Sequence, residues 1–190
     1  MSINPTEIKG NWDKGFVLDK HVVSSTPIGE NVYGHMQYDT IRTELGELVF
    51  QLKYRNKIEN IEKIVCLIKL FLDSFTELCE VDVVIPVPPS KIRAFQPANE
   101  LAQAIAEYLS ISYTDEVLEK TSSSQAKDMS KATKDVKGNI VAKIKAKRQH
   151  NILLIDDLFE SGETLTECVS VLRDDPMLKK IYVLVMTKTR

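Results

Sequence analysis

Asp156 and Asp157 stand side by side at the end of the apolar run Leu153, Leu154 and Ile155, and Ser161, Gly162 and Thr164 follow after one short loop. The residues after Gly162 have helical spacing, so the loop 157–162 leads into a helix N-terminus. The first N–H groups of such a helix lack intrahelical acceptors and carry its positive dipole end, which together seat an anion such as a phosphate monoester. Ser161 and Thr164 add hydroxyl donors, and Gly162 lets the backbone approach a ligand or turn with positive φ. Two carboxylates would repel that phosphate, so Asp156 and Asp157 should face hydroxyl donors or developing positive charge. A ribose ring offers both, through its 2′- and 3′-hydroxyls and through the cationic character of a reacting anomeric carbon.

These residues need a frame that exposes a strand end beside a helix start. Ile152 to Ile155 reads as a buried strand, residues 163–172 as a helix with Leu165, Cys168, Val169 and Leu172 inward, and KIYVLVM as a final strand. Upstream, VDVVIPV has the length and β-branched content of a strand covered on both faces, and it is stopped by Pro88 and Pro89. Ala98, Leu101, Ala102, Ile105, Ala106 and Leu109 mark a following helix opened by Pro97. Ile41, Leu45, Leu48, Val49 and Leu52 predict an earlier helix, and residues 57–78 a longer one with Ile58, Ile61, Val65, Ile68, Leu72 and Phe75 on one side. A weak strand near Val117 and another over 140–144 bracket a Ser/Lys-rich stretch. The first 38 residues mix aromatics with turn signals, with strands around a Gly29/Gly34 loop. Alternating strands and helices predict an α/β parallel sheet with helices on both faces. The expected organisation is a small appended segment, 1–38, and a main domain, 39–190.

Composition narrows the function classes. With 43% apolar and 27% charged residues over 190, the chain is of ordinary globular type, and a formal charge of −2 gives no global nucleic-acid footprint, although local basic stretches leave nucleic acid open as a partner. Cys66, Cys79 and Cys168 are too far apart for a metal knuckle or disulfide framework, and no basic-then-apolar leader opens the chain, so a reducing, cytoplasmic setting is expected. No membrane span is predicted, because Glu62, Lys63 and Lys69 interrupt the most apolar stretch. His21, His35 and His150 lack metal spacing, and neither a P-loop, a dinucleotide fingerprint nor a nucleophile elbow is present.

LLIDDLFESGETL resembles the phosphoribosyl-pyrophosphate motif of type I phosphoribosyltransferases, and three further stretches are similar to the ComF-like competence family. They are ELVFQLKYR, VVIPVPPSKIRAFQPANELA and TSSSQAKDMSKATKDVKGNI, in that order along residues 38–187. The resemblance implies the type I phosphoribosyltransferase fold with a small N-terminal hood-like segment. It implies binding of 5-phosphoribosyl 1-pyrophosphate and transfer of phosphoribose to an acceptor that the sequence does not name. Asp156 and Asp157 would act on the ribose, and Leu158, Phe159, Glu160, Ser161, Gly162, Glu163 and Thr164 would form the 5′-phosphate loop. Pro88, Pro89, Ser90, Lys91 and Arg93 would form the pyrophosphate loop, and a loop carrying Thr121, Gln125 and Lys134 would close over the reacting centre, although its composition also suits a disordered segment. Mg2+ is implied as cofactor, held by Asp156 and Asp157 partly through water. Lys53 and Tyr54 fall near the site by the same resemblance.

The chain departs from that pattern in three places. It lacks the family's N-terminal zinc-binding cysteines, has Glu160 where Thr or Ser is usual, and has Lys134 where Arg is usual. The last two motivate a second reading, a non-catalytic module that senses nucleotide or donor in DNA uptake or defence. A homo-oligomer fits the sequence as readily as a monomer.

Overall fold

The computed structural model describes residues 3–89, 95–121 and 139–189. Its central sheet contains, among these residues, β1 (Thr6–Glu7), β2 (Lys14–Lys20), β5 (Val83–Pro86), β6 (Ser112–Tyr113), β9 (His150–Phe159) and β10 (Leu178–Lys188), in the spatial order β1-β2-β10-β9-β5-β6. β1 pairs antiparallel with β2 and every other neighbour is parallel. The period-2 alternation of each strand divides two apolar layers. Leu18, Leu153, Ile155, Tyr182, Leu184 and Met186 enter one, with the apolar sides of α1 (Glu44–Arg55), α2 (Asn60–Ser74) and α3 (Pro97–Leu109). Val17, Ile152, Leu154, Ile181, Val183 and Val185 enter the other, with α4 (Glu163–Arg173) and Trp12. Helices thus cover both faces, as strands that are apolar on alternating sides require.

The expected segment 1–38 is divided between two structures. Residues 14–20 lie inside the central sheet, hydrogen-bonded between β1 and β10, because Val17 and Leu18 each bury completely on opposite faces. β3 (Val22–Glu30) and β4 (Met36–Arg42) instead form a separate antiparallel hairpin, in which most residues are exposed. Ile41, expected on a helix, belongs to β4; the helix starts later because Thr43 caps it, its Oγ1 accepting from the Gly46 N–H at 2.9 Å. In α2 the buried line is Asn60, Ile64, Ile68 and Leu72, and Ile58 lies outside the helix and exposed. β7 (Leu118–Lys120) and β8 (Ile140–Ala142) pair antiparallel, with the Ile140 N–H donating to Glu167 Oε1 of α4 at 2.7 Å.

The seating of α1 fixes what it carries to the strand ends. Thr43 Oγ1 also donates to the Lys20 carbonyl at 2.6 Å, and Gly46 sits so close to the His21 carbonyl that a Cβ there would overlap the oxygen. Alanine normally favours a helix interior by about 1 kcal/mol over glycine. Here the clash reverses the sign, so Gly46→Ala is expected to destabilise the fold by roughly 1–3 kcal/mol in urea unfolding, the range of overpacked sites; a gain in stability would show that α1 is not held against His21.

Candidate functional site

The strand order places a switch point between β5 and β9. After β5 the chain crosses through α3 to β6 on one side; after β9 it crosses through α4 to β10 on the other. Adjacent strands whose connections diverge leave a crevice outside their carboxyl ends, where α/β sheets bind ligands. A cavity of about 690 Å³ occupies that crevice. It is lined by Val87, Pro88 and Pro89 after β5, by Gln96 to Asn99 at the start of α3, by residues 156–162 with Thr164 and Leu165, and by Lys53 and Tyr54 of α1.

Two helix N-termini open on this cavity. α4 begins at Gly162, whose φ of +80° is strained for any other residue and whose missing side chain avoids a 3.0 Å approach to the Phe159 ring. Neither Gly162 nor Gln96, the residue before α3, supplies a side-chain cap to its helix. Pro97 has no N–H and the first amide of α4 already meets a hydroxyl, so the amides that follow, of Ala98 and Asn99 in α3 and of Thr164 and Leu165 in α4, open with the positive dipole ends on one space. Ser161 Oγ lies 3.4 Å from the Glu163 nitrogen. Glu160 lines the cavity rim with an exposed side chain, whereas Glu163 is outside the lining.

Alternation along β9 sends the two acids to opposite faces. Asp157 follows Leu153 and Ile155 to the side of α1, and Asp156 follows Leu154 to the side of α4. The Asp157 carboxylate is met by Lys53 Nζ at 3.0 and 3.1 Å from its two oxygens. Asp156 Oδ1 accepts the Asp157 N–H at 2.8 Å. Burial, reinforced by the neighbouring Asp157 charge, holds the Asp156 carboxyl well above the ordinary carboxylate range. Burial would lower the Lys53 ammonium, but Asp157, with smaller help from Asp156, outweighs it and raises Lys53 above its usual value. At 3.0 Å and an effective dielectric constant near 20 the pair attracts by roughly 5 kcal/mol. Desolvation costs several kcal/mol per ion, so the pair fixes geometry more than it stabilises.

Behind Asp157 lies a buried polar column. Thr187 Oγ1 is 3.3 Å from the Asp157 carbonyl and 3.0 Å from His21 Nδ1. Donation by the hydroxyl to that carbonyl leaves it to accept from His21, which selects the Nδ1–H tautomer. Burial first, then the nearby Arg42 and Lys53 charges, lower the His21 pKa and keep the ring neutral. Thr187 is wholly buried and His21 nearly so.

Of the residues expected at the site, Asp156, Asp157, Leu158, Phe159, Glu160, Ser161, Gly162, Thr164, Pro88 and Pro89 come together around the cavity. Thr121 does not line it; it follows β7, where its N–H donates to the Asn139 carbonyl. Ser90, Lys91, Arg93, Gln125 and Lys134 lie outside the described residues. The residues 96–99 were not foreseen as lining, although Pro97 at a helix start was the available signal. Among the described residues, no three His, Cys, Asp or Glu side chains gather as a metal cage, and no helix is long and apolar enough to cross a membrane.

No family model matches the sequence, and no curated protein matches it. Solved structures do. Adenine phosphoribosyltransferase from Trypanosoma brucei, in complex with AMP, pyrophosphate and ribose-5-phosphate, aligns with a TM-score of 0.52 at 13% identity over 99% of this chain and 76% of that one. Orotate phosphoribosyltransferase from Aeropyrum pernix aligns at 0.49 and 12% identity over 88% and 76%. UMP synthase from Leishmania donovani aligns at 0.40 and 16% identity, over 86% of this chain but only 28% of that longer one. The chain has the mixed, mostly parallel α/β architecture of the type I phosphoribosyltransferase fold.

The raised Asp156 pKa has a signed consequence. Between the ordinary value of 3.8 and its raised value the folded state binds more protons than the unfolded one, so this group's contribution to stability falls as pH rises through that window. Asp156→Asn is expected to raise Tm by a few degrees at pH 8 relative to the parent, with the gain fading towards pH 4. Equal shifts at both pH values would contradict the burial argument.

Proposed function

We propose that the chain binds 5-phosphoribosyl 1-pyrophosphate in the β5/β9 crevice and transfers its phosphoribosyl group to an acceptor. The observation that carries this reading is the convergence of two helix N-termini and an aspartate pair on one cavity. The α4 end, with Ser161 and Thr164, has the donors for a 5′-phosphate. The α3 end, beside Pro88 and Pro89, would receive the leaving diphosphate of such a donor. The ternary contents of the trypanosomal adenine phosphoribosyltransferase, a nucleotide with pyrophosphate and ribose-5-phosphate, support the same ligand class.

Each residue has a separable task. Asp156, unpaired by any cation at hydrogen-bond distance among the described residues and held protonated by burial and by Asp157, would give up that proton as positive charge arrives beside it, and the carboxylate would then accept from ribose hydroxyls and offset charge growing on the ring. Lys53 neutralises Asp157, so the two acids do not present two full charges to an anionic donor. Gly162 brings backbone amides to the phosphate without a side chain between them. The apolar walls from Val87 and Leu165 limit water near the reacting carbon, which protects a ribosyl cation from hydrolysis.

Mg2+ fits this donor set as an ion shared with substrate, since it commonly keeps waters and takes one or two carboxylates plus phosphate oxygens. Asp156 and Asp157 would hold it, in part through water, and it would neutralise the leaving diphosphate. ComF-like membership is part of the same proposal, carried by ELVFQLKYR, whose Lys53 and Tyr54 line the cavity. A cytoplasmic setting is proposed with it. The second reading, a sensor without turnover, is favoured by the Lys53–Asp157 pair, because a neutralised Asp157 gives less help to a ribosyl cation.

Calorimetry with 5-phosphoribosyl 1-pyrophosphate and Mg2+ is expected to show binding that weakens at least tenfold in Asp156→Asn and in Gly162→Ala. Absence of binding by the parent chain, or unchanged affinity in both variants, would remove the proposal. Pyrophosphate release across a panel of nucleobases, amines and nucleic acids separates the two versions: release identifies the transferase, and binding without release identifies the sensor.

A further inference from the structure

The β3–β4 hairpin leaves large apolar side chains uncovered on both of its faces and at its turn. Seven of its large apolar side chains are exposed: Val23, Ile28, Val32, Tyr33, Met36, Tyr38 and Ile41, with Val32 at 93% and Tyr33 at 82%. At roughly 150–250 Å² for a large aromatic and somewhat less for an aliphatic side chain, this amounts to several hundred Å². A two-stranded hairpin is also marginal in water without further pairing or cover. None of its residues lines the cavity, so the surface does not belong to the crevice site.

The two edges of the hairpin differ. Both register shifts, between Val22 and Ser24 and between Pro27 and Gly29, insert the extra residue into β3, and Pro27 removes an N–H there. β4 is regular over Met36–Arg42 and has no proline. The Asn31 N–H donates to the His35 carbonyl at 2.9 Å and closes the turn. Alternation from that bond directs the backbone groups of Gln37, Asp39 and Ile41 to β3, and those of Met36, Tyr38 and Thr40 outward. β4 is therefore the edge suited to accept another strand.

The geometry points to a second copy of this chain as the occupant: β4 pairs antiparallel with β4 of its partner, the two-fold axis passing at Tyr38. In that register Tyr38 faces its own copy, Met36 faces Thr40, and Gln37 faces Asp39 as amide against carboxylate. Shifting the axis by one residue sets Asp39 against Asp39, which like-charge repulsion disfavours. The surface continues from the hairpin base onto α1, where Arg42 lies 3.7 Å over the Phe50 ring and Phe50 contacts Tyr54 at 5.1 Å. Dimerisation would thus stiffen the helix whose Lys53 and Tyr54 line the cavity.

Sedimentation of the full chain at about 50 µM tests this, a concentration well above the micromolar Kd of a weak but specific complex. A dimer is expected, and Tyr38→Lys, which sets two ammonium groups across the axis at an exposed position, should yield monomer with an unchanged circular dichroism spectrum. In a Cys66→Ser/Cys79→Ser background, Tyr38→Cys should form an intermolecular disulfide, because directly opposed strand residues have Cα atoms about 5.5 Å apart. A monomeric parent, a dimer that survives Tyr38→Lys, or a dimer in which Tyr38→Cys does not cross-link would each overturn the proposal.

Discussion

A strand that carries two consecutive acids near its carboxyl end must send one to each face of its sheet, and the site is organised around that constraint. Asp157 enters the layer shared with α1, where a bare carboxylate would be costly, and Lys53 meets it there. Asp156 enters the side of α4, where no such cation is supplied among the described residues, and its carboxyl is pushed upward by burial and by Asp157. One acid is thereby fixed and compensated, and the other is left to answer to whatever occupies the crevice. The nearby N-terminal ends of α3 and α4 favour an anion there, which is the physical ground of the proposed ligand.

The compensation depends on elements distant in sequence. Lys53 lies ten residues beyond the Thr43 cap, about 15 Å along the helix at 1.5 Å per residue. Its reach to Asp157 is therefore set by the Thr43–Lys20 bond and by the absence of a side chain at Gly46. His21 closes the loop, touching α1 through its carbonyl and the Asp157 backbone through Thr187. The end of β2, the end of β10, the start of α1 and the end of β9 thus form one hydrogen-bonded unit under the cavity floor.

Local patterns made much of this legible. The β9-loop-α4 unit carries its own signals, an apolar run, turn residues and helical spacing, and it folds in that order, except that pairing with β10 carries the strand on to Phe159, so residues 157–159, expected in the loop, are strand. The same holds for β5 and α3, where Pro97 marks the helix start. What the sequence concealed was non-local. Nothing in KGFVLDK states that β2 inserts between β1 and β10, since a short apolar strand suits an edge, a hairpin or a sheet interior equally. Ile41 has helical spacing with Leu45 yet lies in β4, because the cap at Thr43 outweighs periodicity by setting where helical hydrogen bonds begin. The Lys53–Asp157 pair spans 104 positions, and charge pairing over that separation leaves no spacing to read.

The central claim is that the amides opening α4 seat an anion beside Asp156 and Asp157. Amide NMR during titration with ribose 5-phosphate tests it directly. The account predicts that the largest shifts fall on Gly162, Glu163, Thr164 and Leu165, with Asp156 and Asp157 responding in the same titration. Shifts spread over exposed lysines and arginines, with residues 162–165 unmoved, would contradict it.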